Sequence, residues 1–345
     1  MSEHACHVSF DVHEVSQVGE ARRAAVHLAE TLGFDDVAAG RVALVATELG
    51  NNLVRHAQKG RLLVGRVQGD EGHALVEILS LDQGPGIANV AACMADGYST
   101  GGTPGSGLGA VRRLSQEFDL FSARPAGTVI MSRIAAKAGQ GAAPAIARPA
   151  TRFEMGAVAL AAPGETVCGD AWAVVQDDHL AAIIVADGLG HGPQAAEASH
   201  TAVSVFRSMP FGAPGHVVER MHGGMRATRG AAVMMAQLDL DENALIYSGA
   251  GNIAGRLISG VGDKSLASQH GTVGVQIRHL KDVRQPWPDH ALLVLHSDGL
   301  TTRWDLDNAR GILQHHPTVV AGWLVRDHSR GRDDATVVVL KRRGA

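Results

Sequence analysis

Residues 46–60 read ATELGNNLVRHAQKG. They sit inside a longer stretch, Asp35 to Gln58, whose apolar residues Val42, Val45, Leu49 and Leu53 recur at helical spacing and predict a helix with one buried face. On that helix Glu48, Asn52 and His56 stand at i, i+4 and i+8, so they share a second, polar face. A carboxylate beside a carboxamide suits a site that orients a hydroxyl and helps hold Mg2+, a hard ion that keeps several waters. Taken alone, the same triplet also describes a solvated helix face.

The flanking sequence adds to it. Upstream, Ser16 to Leu32 reads as a helix capped by Ser16 and stopped at Gly33. Downstream, Arg61–Gln68 and His73–Leu81 read as strands. Asp82 ends the second and is followed by Gly84-Pro85-Gly86. A carboxylate there can accept from an exocyclic amine while glycines let a planar base approach the backbone, although an ordinary turn has the same composition. Gly97 to Gly109 carries six glycines, Gly105, Gly107 and Gly109 among them, and runs into a helix predicted over Gly107–Gln116. Backbone N–H groups at such a junction can cradle phosphates; a plain mobile loop is the alternative. Two strands, Phe118–Ala123 and Thr128–Ile134, close the unit.

Residues 136–152, rich in Ala, Gly and Pro and without hydrophobic periodicity, read as a tether. They separate a first domain, residues 1–135, from a second, residues 153–345. Strands in the second are predicted at Met155–Ala161, Ala171–Val175, Leu180–Ala186, Ala231–Leu238, Ala244–Ser248, Ile253–Ile258, Ala291–Leu295 and Ala335–Leu340. Helices are predicted at Gln194–Ser208, Gly215–Arg226 and Pro317–Ser329. This order predicts a layered α+β architecture rather than regular βαβ alternation. Asp170, Asp187, Asp298 and Asp333 each stand at a strand end beside glycines or further acids. One such aspartate is a turn former. Four gathered by the fold would repel one another unless cations neutralise them, and all-oxygen donors select Mg2+ or Mn2+ over zinc. Two such ions about 3.5–4 Å apart can share a hydroxide for in-line displacement at phosphorus, with no serine or cysteine nucleophile. No cysteine stands in a Cys-x5-Arg loop, and no His-Glu-x-x-His pair is present. His191 either touches phosphate or water, or shapes the turn before the next helix.

The segments ATELGNNLVRHAQKG, DQGPGI and DGYSTGGTPGSGLGAVRRLSQEFDLFS resemble the anti-sigma-type serine kinases of the GHKL ATPase superfamily, and within it the RsbT branch of stressosome switch kinases. The resemblance spans most of residues 10–134 and implies an α/β sandwich of the Bergerat ATP-binding type. It implies Glu48 as general base toward an acceptor serine and Asn52 as a ligand of the Mg2+ that accompanies ATP. It further implies Asp82 on adenine with Gly84 and Gly86 shaping that pocket, Gly105, Gly107 and Gly109 lining the phosphate lid, and Thr128 completing the adenine site. His56 is placed like residues near that pocket, or is a satisfied helix histidine. ADGLGHGPQAAEAS, LLVLHSDGLTTRW and RDDATVVVL resemble the PPM-type metal-dependent Ser/Thr phosphatases of the SpoIIE/RsbX group, over residues 153–345. That resemblance implies an α-β-β-α sandwich holding two Mn2+ or Mg2+ ions. Asp187 would bridge both ions and Gly188 would offer its carbonyl. Asp170, Asp298 and Asp333 would fill the remaining protein positions, Asp334 being the alternative to Asp333. No counterpart is visible of the N-terminal phosphate-binding arginine of larger eukaryotic relatives.

Together the two resemblances imply a bifunctional switch protein that phosphorylates and dephosphorylates Ser/Thr on STAS-domain antagonist or stressosome proteins. The alternative is a phosphatase whose nucleotide domain only binds or senses partners. Composition agrees with a soluble globular protein: 45% hydrophobic and 19% charged residues. A net charge of −4 without Lys/Arg runs argues against nucleic acid or anionic membrane as partner. Three scattered cysteines and an N-terminus lacking an apolar core predict a cytoplasmic location.

Overall fold

The computed structural model of the protein describes residues 6–69, 72–94, 107–136 and 152–343. The tether and Gly105 lie outside these, Ala136 and Arg152 excepted. The chain divides into two units, Met1–Arg148 with Asp305–His315, and Pro149–Trp304 with His316–Ala345. Among the described residues no helix is long and apolar enough to cross a membrane.

The first unit is a five-stranded antiparallel sheet with helices on one face. In chain order it has β1 (Val8–Asp11), α1 (Val15–Thr31), α2 (Asp36–His56), β2 (Arg61–Gln68), β3 (Ala74–Asp82), a short α3 (Val90–Met94), α4 (Leu108–Leu114), β4 (Glu117–Ala123) and β5 (Gly127–Ala135). The sheet order is β1-β2-β3-β5-β4. The expected apolar stripe of α2 is its buried face: Val42, Val45, Leu49 and Leu53 pack with Leu62, Val64, Val76, Ile78, Ile130 and Ile134 of the sheet. α1 starts one residue before the expected helix. Its cap is Glu14, locked in a capping box with Gln17, and the Ser16 hydroxyl donates to Glu14 Oε1 instead of capping. Glu77, fully buried on β3, accepts from Arg133 Nε at 2.6 Å and lies 2.9 Å from His7 Nε2; Arg133 Nη1 reaches Glu117 at 2.8 Å. Burial alone would raise the Glu77 pKa, but Arg133 and His7 outweigh it and bring it down to about 2.

The second unit has four layers. Its strands are β6 (Phe153–Leu160), β7 (Asp170–Gln176), β8 (Leu180–Gly188), β9 (Ala231–Asp239), β10 (Ala244–Ala250), β11 (Ala254–Ile258), β12 (Asp263–Leu266), β13 (Gly271–Thr272), β14 (Gln276–Ile277), β15 (Val283–Pro286), β16 (Leu292–His296) and β17 (Ala335–Arg342). Its helices are α5 (Pro193–Ser208), α6 (Pro214–Gly224) and α7 (Pro317–His328). One antiparallel sheet runs β15-β10-β9-β8-β7, the other β12-β11-β16-β17-β6. The two-residue period of β8 shows why they stack. Ile183 and Val185 point into a core shared with Leu293 and Leu295 of β16 and Val338 and Leu340 of β17. Ile184 and Ala186 face the opposite way, against Ala198, Ala202 and Phe206 of α5 and Val217, Val218 and Met221 of α6. α7 covers the outer face of the second sheet at β6 and β17. At the crossing, Gly156 has no room for a Cβ against the Thr318 backbone nitrogen.

Candidate active sites

In the first unit the ends of α2 and β3 meet. α2 is capped by Asp35, whose Oδ1 accepts from the Ala38 N–H at 2.8 Å. Glu48 and Asn52 are half-buried beside its apolar stripe, and His56 is exposed at its last turn. Asp82 is directly opposite Thr128 in the β3–β5 register. Asp82 Oδ1 accepts from the Gly84 N–H at 2.7 Å, and the buried Thr128 hydroxyl lies 3.0 Å from that of Ser122. A Cβ on Gly84 would lie 2.8 Å from both Asp82 Oδ1 and the His56 carbonyl oxygen. Gly86 has φ +72°, and a Cβ there would meet the Ala123 carbonyl oxygen at 2.5 Å. These glycines therefore let the turn lie flat against the helix end and β4. Gln83 N–H donates to the Gln58 carbonyl at 2.8 Å and fixes that approach. Asp82, Thr128, Gly84 and Gly86 thus form one corner. Gly107 caps α4, with Gly109 buried within it, while Gly105 lies outside the described residues.

In the second unit the acidic residues come from both sheets. Asp170 opens β7 and is paired in register with Asp187 on β8. Gly188 N–H donates to the Gly169 carbonyl at 3.2 Å, joining the two loops beyond the strands. In the other sheet, Ser297 N–H donates to the Thr336 carbonyl and Thr336 N–H to the Ser297 hydroxyl, both at 3.0 Å. This tie sets Asp298, just past β16, beside Asp333 and Asp334, just before β17. Gly188 and Gly299 are required by closeness: a Cβ on the first would strike the Ala195 carbonyl of α5, and on the second the Asp334 carbonyl.

Charge accumulates in this space. Burial, then the carboxylates of Asp170, Asp298, Asp333 and Asp334, push Asp187 up to about 9. Burial pushes Asp170 up to about 7, and the charges of Asp334 and Asp333 add to this. Asp170 is 3% exposed, and neither of its oxygens has a hydrogen-bond partner. Asp334 Oδ1 accepts from the Ala162 N–H at 2.9 Å, and its buried Oδ2 is likewise unpartnered. Asp333 is exposed, and its Oδ1 accepts from the Asp334 N–H at 2.9 Å. The two orphaned oxygens of buried Asp170 are costly unless cations complete them, so the residues fit hard divalent ions. Among the described residues, no three His, Cys, Asp or Glu side chains close on one point as a ready-made cage. The Gly188 carbonyl and water would supply the remaining donors, as hard ions accept.

Sequence reading missed several neighbours. Asn252 Nδ2 donates to Asp298 Oδ2 at 2.6 Å from the turn between β10 and β11. Trp304 Nε1 donates to His296 Nε2 at 3.0 Å, so His296 carries its proton on Nδ1, which donates to the Ser297 carbonyl at 2.8 Å. Burial lowers the His296 pKa, in keeping with that neutral ring. For His191, which the sequence did single out, the unforeseen partner is Glu165: its Oε1 lies 2.6 Å from His191 Nδ1, and the Gly192 Cβ position is 2.9 Å from the same carboxylate's Oε2. The glycine-rich turn 249–252 was the one available signal for Asn252.

Comparison with known proteins matches each half of the chain to a different family model. A histidine kinase-like ATPase domain model matches residues 12–134, and a stage II sporulation protein E (SpoIIE) model matches residues 177–343. The serine/threonine-protein kinase RsbT of Bacillus subtilis (strain 168) is 38% identical over 112 residues, 32% of this chain and 84% of RsbT. The phosphoserine phosphatase RsbX of the same organism is 25% identical over 138 residues, 40% of this chain and 69% of RsbX. A solved structure from work on the bacterial stressosome as a modular system is 25% identical with a TM-score of 0.50, covering 55% of this chain and 99% of its own. The chain belongs to the histidine kinase-like ATPase family as an RsbT homologue in its first half, and carries a SpoIIE-type PPM phosphatase domain in its second.

Proposed function

We propose that this protein is a bifunctional switch enzyme that adds phosphate to, and removes it from, Ser/Thr of STAS-domain partner proteins of a cytoplasmic partner-switching pathway. The boundary between its two catalytic domains falls at residues 136–152. The observation that carries this reading is the presence on one chain of an adenine-type corner at Asp82–Thr128 and a carboxylate cluster at Asp170–Asp187. In the first domain Asp82 accepts from the adenine amine, and Gly84 and Gly86 admit the ring. Asn52 helps hold the Mg2+ of ATP, and Glu48 takes the proton of the acceptor hydroxyl. General-base help of this kind is worth about 10²–10⁴-fold in rate. In the second, Asp170, Asp187, Asp298 and Asp333 would hold two Mn2+ or Mg2+ ions with the Gly188 carbonyl. When bound, the ions supply an activated water and neutralise charge at phosphorus. Asp333, which follows Arg332 and opens the Asp-Asp-Ala-Thr run, is the ligand, and Asp334, pinned by one oxygen to the Ala162 N–H, braces the loop. Tethering keeps each site at high local concentration of a partner held by the other.

The test is incubation of the full chain with Mg·ATP and candidate STAS proteins, with Glu48→Ala and Asp187→Ala alongside. Glu48→Ala should abolish phosphorylation and spare dephosphorylation; Asp187→Ala should do the reverse. Nucleotide binding without transfer to any STAS protein would leave the first domain a partner-binding module.

A further inference from the structure

The turn leading into β9 is wound tightly beside the phosphatase site. Thr228 N–H and hydroxyl both donate to the Met225 carbonyl, at 2.9 and 2.7 Å, and the same hydroxyl accepts from the Gly230 N–H at 3.1 Å. Gly230 stands at φ +84°, conformationally open only to glycine without strain. Its carbonyl accepts from the Leu189 N–H at 3.0 Å, stitching this turn to the loop that carries Asp187 and Gly188. Arg229, between these anchors, extends its exposed side chain over Gly190, whose Cβ position would lie 3.1 Å from Nη1. Gly190, at φ +86°, leaves that path open. Among the described residues the Arg229 guanidinium has no hydrogen-bond or ion-pair partner.

We propose that Arg229 binds the phosphoryl group of the phosphoserine or phosphothreonine substrate at the rim of the carboxylate cluster. The inference rests on the phosphatase reading of that cluster. A phosphate dianion approaching so many carboxylates needs fixed positive charge beyond the bound ions, and a guanidinium offers a planar N–H fork that matches two phosphate oxygens. The rim also carries apolar side chains exposed to solvent, Leu189 at 47% and Val167 at 37%, on the two loops joined at Gly188–Gly169. They suit the flank of a phosphorylated peptide rather than a free sugar phosphate.

The test uses the full chain with Mn2+, para-nitrophenyl phosphate and a phosphoserine peptide. Arg229→Ala should raise KM for both substrates, and the inhibition constant of orthophosphate, by about 10–100-fold, the range for losing a charge-assisted hydrogen bond. The loss in kcat should be smaller, and Mn2+ affinity by calorimetry and Tm should be unchanged. Arg229→Lys should recover part of the KM. Unchanged KM and inhibition constant in Arg229→Ala would overturn the assignment, as would a loss confined to the peptide or accompanied by lost Mn2+ affinity. If the wild-type chain hydrolyses neither substrate, the phosphatase reading falls separately. Orthophosphate calorimetry then decides on Arg229, equal affinity in wild type and variant counting against it.

Discussion

Gly188→Ala tests the geometry of the carboxylate cluster without touching a charge. Gly188 is not among the residues with left-handed backbone, so the cost of the change is steric alone. The added methyl would strike the Ala195 carbonyl oxygen and come within 2.6 Å of its carbon and 2.8 Å of the Ala195 Cα. These are backbone atoms in the first turn of α5 and cannot rotate away. Carbon–carbon contact is comfortable from about 3.5 Å and the carbonyl oxygen is closer still, so the loop or the helix must yield by about 1 Å or slightly more. Overpacking of this kind costs about 1–3 kcal/mol, which lowers Tm by roughly 2–12 °C. A displacement near 1 Å at a reacting centre costs on the order of 10²-fold in rate. The assay is steady-state hydrolysis of para-nitrophenyl phosphate with Mn2+, beside Mn2+ calorimetry and thermal unfolding. Gly223→Ala is the control: it lies on α6 with nothing within 4 Å of its Cβ position and should leave turnover unchanged. If Gly188→Ala kept wild-type kcat, Mn2+ affinity and Tm, the packing of the loop against α5 would not be what positions Asp187, and the reasoning would fail.

The ion cluster of the first unit predicts an acid-sensitive stability. Glu77 has its folded pKa lowered to about 2 from 4.5, so below pH 4.5 the unfolded chain binds the proton more readily; the contribution is full above pH 4.5 and fades as pH falls toward 2. Urea unfolding between pH 5 and pH 3 should show a loss of about 2 kcal/mol that Glu77→Gln lacks, the variant starting lower because Arg133 and His7 lose a buried charge partner; equal slopes in the two proteins would remove the assignment. Metal removal is the other lever. Mn2+ at 100 times its dissociation constant should stabilise the second unit by about 2.7 kcal/mol, read as a Tm rise reversed by EDTA and absent in Asp187→Asn. A rise of equal size in the variant would place the ions elsewhere.

The reading of elements from sequence succeeded where burial is two-sided. β8, an unbroken apolar run, alternates between two cores and leaves no choice of period. It failed at edges. β12 and β15 end their sheets with segments as polar as Asp-Lys-Ser-Leu and Val-Arg-Gln-Pro, the charged edge that discourages further pairing and hides a strand from hydropathy. β1 escaped for the same reason. The start of α1 was displaced because Glu14, a weak cap by composition, is made effective by Gln17. Residues 305–315 group with the first unit, where His315 Nδ1 lies 2.9 Å from Asp119 Oδ1, and no local pattern foretells a partner so distant in sequence. Asn252 and Arg229 were hidden likewise, each meaningful through a turn that folds it back onto another loop.

The four aspartates were expected to gather into one cluster; what no local pattern in the sequence shows is the register that brings them together. Asp170 faces Asp187 because β7 and β8 pair without slip across the turn 177–179, where Asp177 Oδ1 accepts from His179 and Leu180 N–H. A slip of one residue would turn Asp187 to the other face of the sheet and take Ile183 and Val185 out of the shared core. The apolar pattern therefore enforces the juxtaposition of two carboxylates that their own charges oppose. The same holds for Asp298 and Asp333, whose β16–β17 register is set by Leu293, Leu295, Val338 and Leu340. Core packing sustains a repulsion that bound divalent ions would relieve, so the arrangement of the carboxylates is stored in the hydrophobic register of two sheets.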